Sequence, residues 1–449
     1  MEGGSQITSE NRSRTPSLKS LQLNDLPSTS SEISPRQTQP STDNQIWILS
    51  EFGKPIFSSC GREDELCSTF ALVATLVKRY ESWKDSLLSI AAPNIYVNFL
   101  YKSPLILCLV SRHPYNLSFQ LDIIYNQVIS ILTKSMLKSI YAEKGYNFDL
   151  RRWLGGIDKR VEACSMSFNE DPVVFLSGFR ILPLQHADRQ HIINVMAAEI
   201  NRCSPDNVVF GIMVAHRQLV AFVRMRKLNL SASDFNTIVN MIECHNSLKE
   251  GETWVPVCLP LFDPNFYLHA YISYLWEGTG PCLLLLSTSK HAFEDLSQAR
   301  RNIEENLCSY KRYAQVRSQL SQPDDISLKQ AMCVELWHFM YKNNLTTQIC
   351  CSSPQKPCIA DDELLALYYG YFRIGDLLKQ RCKNVKMLFL ATECCAIFSW
   401  IELSFELHCT FSPLVTQATA MATAEKLLKI IRGNENRFFF TLNPGVLSG

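Results

Sequence analysis

The sequence predicts an α+β fold of three similar units, each an antiparallel sheet flanked by helices, behind a polar tail. Three observations predict it. Apolar runs of strand length recur as hairpins near residues 46–57, 208–226 and 385–407. Each hairpin region leads into a helix with apolar residues three and four apart. The 449 residues are 46% hydrophobic and only 19% charged, enough apolar surface for several cores. Antiparallel hairpins with helices packed on the sheet define α+β architecture. No apolar run approaches the length needed to cross a membrane.

Residues 1–44 hold no aromatic residue and no Val, Ala or Cys, and are dense in Ser, Thr, Gln and Pro. Such a stretch buries too little to offset its ordering entropy, so a disordered tail is expected there. The first unit, residues 45–156, opens with Ile46–Leu49 and Pro55–Phe57 around the turn Ser50-Glu51-Phe52-Gly53-Lys54. A helix follows with Leu66, Phe70, Val73, Val77 and Tyr80 on one stripe. Strands are expected over 95–101 and 105–110, then one helix from about 118 to 141, apolar on most faces. Gly155-Gly156 marks a link.

The second unit, residues 157–320, reads as a short strand near 173–176, a helix over 186–200 and a hairpin of 208–215 against 219–226. A helix over 234–244, strands over 254–259, 267–274 and 282–286, and a helix carrying Phe293, Leu296, Ile303, Leu307 and Tyr310 complete it. The third, residues 321–449, reads as a strand over 334–341, an irregular loop rich in Cys, Ser and Pro, and a helix opened by Asp361-Asp362-Glu363, acids suited to a helix N-terminus. A hairpin of 385–391 against 396–407 follows, then a helix after Ser412-Pro413, a cap and first-turn pair.

Charge balance narrows the function. Lys plus Arg is 44 and Asp plus Glu is 43, which excludes a basic nucleic-acid footprint averaged over the chain. Seventeen cysteines without an apolar leader point to a reducing compartment and free thiols. Cys350, Cys351 and Cys358 with His338 upstream form the densest cluster, but no pair has the spacing of a zinc site. His216, His269 and His408 read as turn or sheet residues, and Asp263 as turn chemistry. No phosphate-binding loop, nucleophile elbow or metalloprotease motif occurs in the sequence. The residues describe a cytosolic interaction protein with no catalytic residue, metal or cofactor expected. Arg224, Arg226 and Lys227 form a local basic cluster suited to anionic lipid.

Five stretches carry a resemblance: Trp47–Gly61, Asn147–Gly156, Val208–Lys227, Glu250–Leu275 and Trp400–Ala420. In this order they resemble the Mon subunit of the SAND/Mon family of vacuolar and endosomal fusion proteins. The resemblance implies three longin domains and a second tri-longin partner, the Ccz subunit. It implies that the pair is a guanine-nucleotide exchange factor for the late-endosomal Rab GTPase (the Rab-seven class), promoting early-to-late endosome conversion and fusion at the vacuole or lysosome. The early-endosomal Rab, a third scaffolding subunit and membranes bearing phosphoinositide or phosphatidylserine are further implied partners, with peripheral recruitment from the cytoplasm. An exchange factor forms no covalent bond; it binds the nucleotide-free GTPase better than the loaded one. The matching hairpin and helix make Glu51, Lys54, Pro55 and Trp83 the candidates for the Rab or partner interface. The alternative is a longin adaptor that binds Rab or membrane without accelerating exchange.

Overall fold

A computed structural model describes residues 44–60, 63–145, 148–171, 176–203, 207–244, 248, 251–276, 280–322, 335–358, 361–378, 385–440 and 445–447. Apart from Asn44, the expected tail lies outside them. The folded body contains three antiparallel-based sheets with helices packed on them.

The first unit comprises β1 (Gln45–Ser50), β2 (Pro55–Ser58), α1 (Glu63–Ser82), β3 (Ser89–Ala92), β4 (Ile95–Lys102), β5 (Leu105–Ser111), α2 (Leu117–Ile131) and α3 (Lys134–Lys144). Its sheet runs β2-β1-β5-β4-β3. The central strand β5 is almost wholly buried because both faces are covered. On one face α1 sets Phe70, Val73 and Val77 against Trp47, Leu49 and Ile106. On the other, α2 sets Leu121, Ile124 and Val128 against Ile46, Ile48 and Leu107.

The single helix expected over 118–141 is two. Leu132 leaves the helix in extended conformation, and the Thr133 hydroxyl accepts from the Met136 N–H at 3.2 Å, starting α3 on a side-chain cap. An apolar run disguises such a break, because the capping threonine sits inside it. The strand β3 is all Ser, Ile and Ala and fully exposed, which left no alternation to read.

Next come α4 (Ile157–Glu170), β6 (Phe179–Arg180), α5 (His186–Cys203), β7 (Val208–Ala215), β8 (Gln218–Met225), α6 (Ala232–Cys244), β9 (Glu252–Leu259), β10 (Asp263–Tyr274), β11 (Cys282–Ser287), α7 (Phe293–Cys308) and α8 (Tyr313–Ser321). Of the strand expected near 173–176, residues 173–175 lie outside the described ones; β6 follows at Phe179–Arg180. The third unit has β12 (Leu336–Asn343), β13 (Gln348–Cys351), α9 (Asp361–Asp376), β14 (Met387–Ala391), β15 (Ala396–Ile401), β16 (Phe405–Phe411), α10 (Gln417–Gly433), α11 (Glu435–Phe438) and β17 (Gly445–Leu447).

Three local readings change here. Part of the expected Cys-rich loop is β13, hydrogen-bonded to β12. The run 396–407 holds two strands, turned at Glu402-Leu403-Ser404 where the Glu402 N–H donates to the Phe405 carbonyl at 2.8 Å. The last helix is capped by Thr416, whose side chain accepts from the Thr419 N–H, and not by Ser412-Pro413.

The other sheets run β17-β8-β7-β11-β10-β9 and β14-β15-β16-β12-β13-β6. They do not respect a chain boundary at residue 320: β6 pairs with β13 and β17 pairs with β8, both parallel. The cores also merge. α4 brings Val161, Cys164 and Phe168 into one cluster with Ile124 and Val128 of α2, Tyr368 and Tyr371 of α9, and Cys258 of β9. This is why α2 is apolar on more than one face.

Candidate functional site

The turn between β1 and β2 is a closed device. Gly53 has φ +81° and approaches α1 so closely that a Cβ would meet the Ala71 Cα at 3.0 Å; only glycine accepts both conditions without strain. Glu51 faces inward. Its Oε2 accepts from the Tyr101 hydroxyl (2.9 Å), the Lys78 ammonium (3.1 Å) and the Ser103 hydroxyl (3.1 Å), so one carboxylate ties the turn to α1 and β4. Burial pushes the Glu51 carboxyl upward, but the bonds from Tyr101 and Lys78 outweigh it and hold the group below its ordinary value. The carboxylate is committed within the domain.

Lys54 is half-buried. Its backbone N–H donates to the Ser50 hydroxyl at 3.1 Å, and its charge assists Arg151, the main cause, in holding the Asp149 carboxyl down. Pro55 opens β2 opposite Leu49, half-buried. Trp83 differs from all three. It follows α1 in a turn, stands 59% exposed, packs edge-on to Tyr80 at 5.5 Å and lies under the Arg79 guanidinium at 5.0 Å. The ring is held from behind and offered to solvent.

Trp83 has company that the sequence reading missed. Leu72 on α1 is 58% exposed and Leu88 is 69%; Phe52, Ile90 and Ile95 are also exposed. Leu72 lies outside the stripe of Leu66, Phe70, Val73, Val77 and Tyr80, a signal available in the spacing. The strand β3 is an open sheet edge with every residue exposed. Among the described residues no strand pairs with the outer side of β3, and the same domain carries these exposed apolar side chains, features of the kind found at interaction surfaces.

The three basic residues of the cluster are placed differently. The Arg224 guanidinium turns back to the Leu228 carbonyl (2.6 Å) and the Asn229 side chain, and its backbone is flanked by Val446 of β17. Arg226 and Lys227 stay exposed at the end of β8. Elsewhere, the His338 ring pairs with the Tyr371 hydroxyl at 3.0 Å, and burial drives its pKa down to about 3. Cys350 is buried on β13 and its thiol is pushed well up by burial; a reactive thiol needs the opposite shift. His408 bonds Ser399 across the sheet at 2.8 Å, and His216, read as a solvated turn residue, bonds the Leu320 carbonyl at 3.0 Å. Asp263 closes its turn by accepting from the Asn265 N–H.

Three family models match this chain in order: the first, second and third longin domains of FUZ, MON1 and HPS1, over residues 44–163, 206–305 and 335–435. The fold is thus a tri-longin protein of the FUZ, MON1 and HPS1 type. Curated relatives narrow it. The chain is 33% identical over 397 residues to vacuolar fusion protein MON1 homolog A of Bos taurus, covering 88% of this chain and 70% of that protein. It is 33% identical over 404 residues to Protein SAND of Takifugu rubripes (89% and 76%). It is 28% identical over 415 residues to vacuolar fusion protein MON1 of Yarrowia lipolytica (89% and 74%). The chain belongs to the MON1/SAND family of vacuolar fusion proteins. Among the described residues no helix is long and apolar enough to cross a membrane.

Proposed function

We propose that this chain is one subunit of a guanine-nucleotide exchange factor for a late-endosomal or vacuolar Rab GTPase of the Rab-seven class. It works beside a second tri-longin subunit of the Ccz type. The observation that carries this reading is that the first domain presents the β3 edge, with exposed Ile90, and exposed Leu72, Trp83, Leu88 and Ile95. A sheet edge takes a partner strand, while rigidly backed aromatic and leucine side chains take an apolar protein surface. Exchange needs a shaped, stiff surface that favours the nucleotide-free GTPase, and the Glu51–Lys78–Tyr101 network stiffens the same domain. Membership of a family named for vacuolar fusion supports placing that activity in endosome-to-vacuole traffic.

The same proposal includes peripheral recruitment from the cytoplasm to endosomal or vacuolar membranes. Anionic phosphoinositide or phosphatidylserine lipid would meet Arg226 and Lys227. The early-endosomal Rab would serve as recruiting partner, with a third scaffolding subunit where one exists. The test is release of labelled guanine nucleotide from the Rab by this chain with its partner. Acceleration supports the proposal. Binding to the Rab without acceleration would move the chain to the adaptor class.

A further inference from the structure

The second and third domains exchange strands in both directions. β6, which precedes the second domain's α5, completes the edge of the third sheet. β17, which follows the third domain's α10, completes the edge of the second. Between α10 and β17 the chain crosses α5, and there Arg189 meets it. The Arg189 guanidinium, on a residue 3% exposed, donates to four main-chain carbonyls: Leu182 at 2.7 Å, Arg437 at 3.0 Å, and Asn436 and Phe439 at 3.2 Å each. The Phe440 ring lies 5.0 Å from it. The crossing segment is also held at both ends. The Phe440 N–H donates to the Gln348 side chain of β13 at 2.8 Å, Phe438 and Phe439 lie in the third core, and Leu447 is fully buried in the second.

A guanidinium is costly to bury unless its donors are met, and removing it leaves the facing carbonyls unpaired as well. Burial alone lowers the Arg189 pKa to about 10, so the group remains charged at neutral pH. The seam beneath the first domain is built otherwise. Among the described residues no strand of the first domain enters another sheet. There α2 packs on α4, α6 and β9, α3 packs on β10, and one apolar core continues from β1 and β5 to Met340, Tyr371 and Ile397 of the third domain, with side-chain bonds such as Asn126 to Ser233 at 3.1 Å. The seam borders a partly open cleft of about 590 Å³ lined by Phe119, Ile123, Phe168, Asn236 and Leu261.

We infer that the second and third longin domains are one obligate body, latched by Arg189 across the C-terminal crossing. Neither sheet is complete without the other domain's strand, so the pair opens as a unit or not at all. This lies outside the proposed exchange activity and holds whether or not that activity is found.

Segment-resolved amide exchange of the full chain in graded denaturant tests it. In the wild type, β7 and β11 should open together with β12 and β16, with one denaturant dependence. Arg189→Met should speed opening of both sets at least tenfold and in equal proportion. Should Arg189→Met fail to fold, Arg189→Lys, which keeps the charge with fewer donors, and a chain ending at Phe440 report the same equal loss. Separate opening of the second and third sheets in the wild type, or a variant effect confined to residues 435–440, would overturn the inference.

Discussion

Replacing Glu51 should loosen the first domain's turn by a calculable amount. Its Oε2 accepts three bonds between 2.9 and 3.1 Å, and the side chain is only 14% exposed. The Tyr101 and Ser103 hydroxyls each contribute about 1 kcal/mol net. Lys78 is 37% exposed, so its ion pair is screened and adds no more than about 0.5 kcal/mol. Glu51→Ala should therefore cost about 2–3 kcal/mol locally, which is a roughly 30- to 150-fold rise in opening at the ordinary tenfold per 1.4 kcal/mol. Glu51→Gln retains acceptors for both hydroxyls and should cost about 1 kcal/mol or less. The assay is amide exchange in β1, β2 and β4, because unfolding of a multidomain chain is not a single two-state event. The sign with pH follows from the lowered carboxyl. The stabilisation is fully present above the unfolded-state value and is lost as pH falls through the lower folded value, with Glu51→Gln insensitive over that window. An Ala variant within about 0.5 kcal/mol of wild type would refute the claim that this carboxylate fastens the turn.

Other outcomes follow from the same coordinates. Phe70 is fully buried and meets Trp47 edge-on at 5.6 Å, so Phe70→Ala should cost about 3–5 kcal/mol, read as lost protection in α1 and β1. Tyr267 donates to the Ile131 carbonyl at 2.8 Å and accepts from the Thr133 N–H at 3.3 Å, spanning the break between α2 and α3. Tyr267→Phe should lose about 1–2 kcal/mol there, seen as faster exchange at Thr133 without change in β12. His338 is held neutral by burial with a pKa of about 3. The unfolded chain then binds a proton that the folded chain refuses, so the stability of the joined second and third domains should decline as pH falls from about 6.5 toward 3. His338→Gln should flatten that decline in a denaturation series across pH.

Much of the fold was readable because burial writes itself as periodicity. α1 carries Phe70, Val73 and Val77 at helical spacing, and β7 is an unbroken apolar run because its sheet is covered on both sides. What escaped was set by neighbours distant in sequence. β3 has no buried residue, β6 has two residues and borrows its place from β13, and β17 is recruited by a sheet some 220 residues earlier. The candidate site was half legible. Trp83 could be read as an exposed anchor because it lies beyond the stripe. Glu51 and Arg224 looked available and are occupied, by Lys78 and Tyr101 in one case and by the Leu228 carbonyl in the other. Charge in a sequence shows neither its partner nor its direction.

The measurement that bears most directly on the proposed function is nucleotide release from a late-endosomal Rab by this chain with the proposed Ccz-type partner, comparing wild type with Trp83→Ala and Leu72→Asp. Both side chains are more than half exposed, so folding should shift by less than about 1 kcal/mol. Loss of an interface anchor should cost about 2 kcal/mol or more of binding, a drop of about thirtyfold in exchange efficiency. Wild-type acceleration that collapses in these variants, with thermal stability retained, is the expected result. Unaltered exchange in both variants would contradict an interface on this face of the first domain.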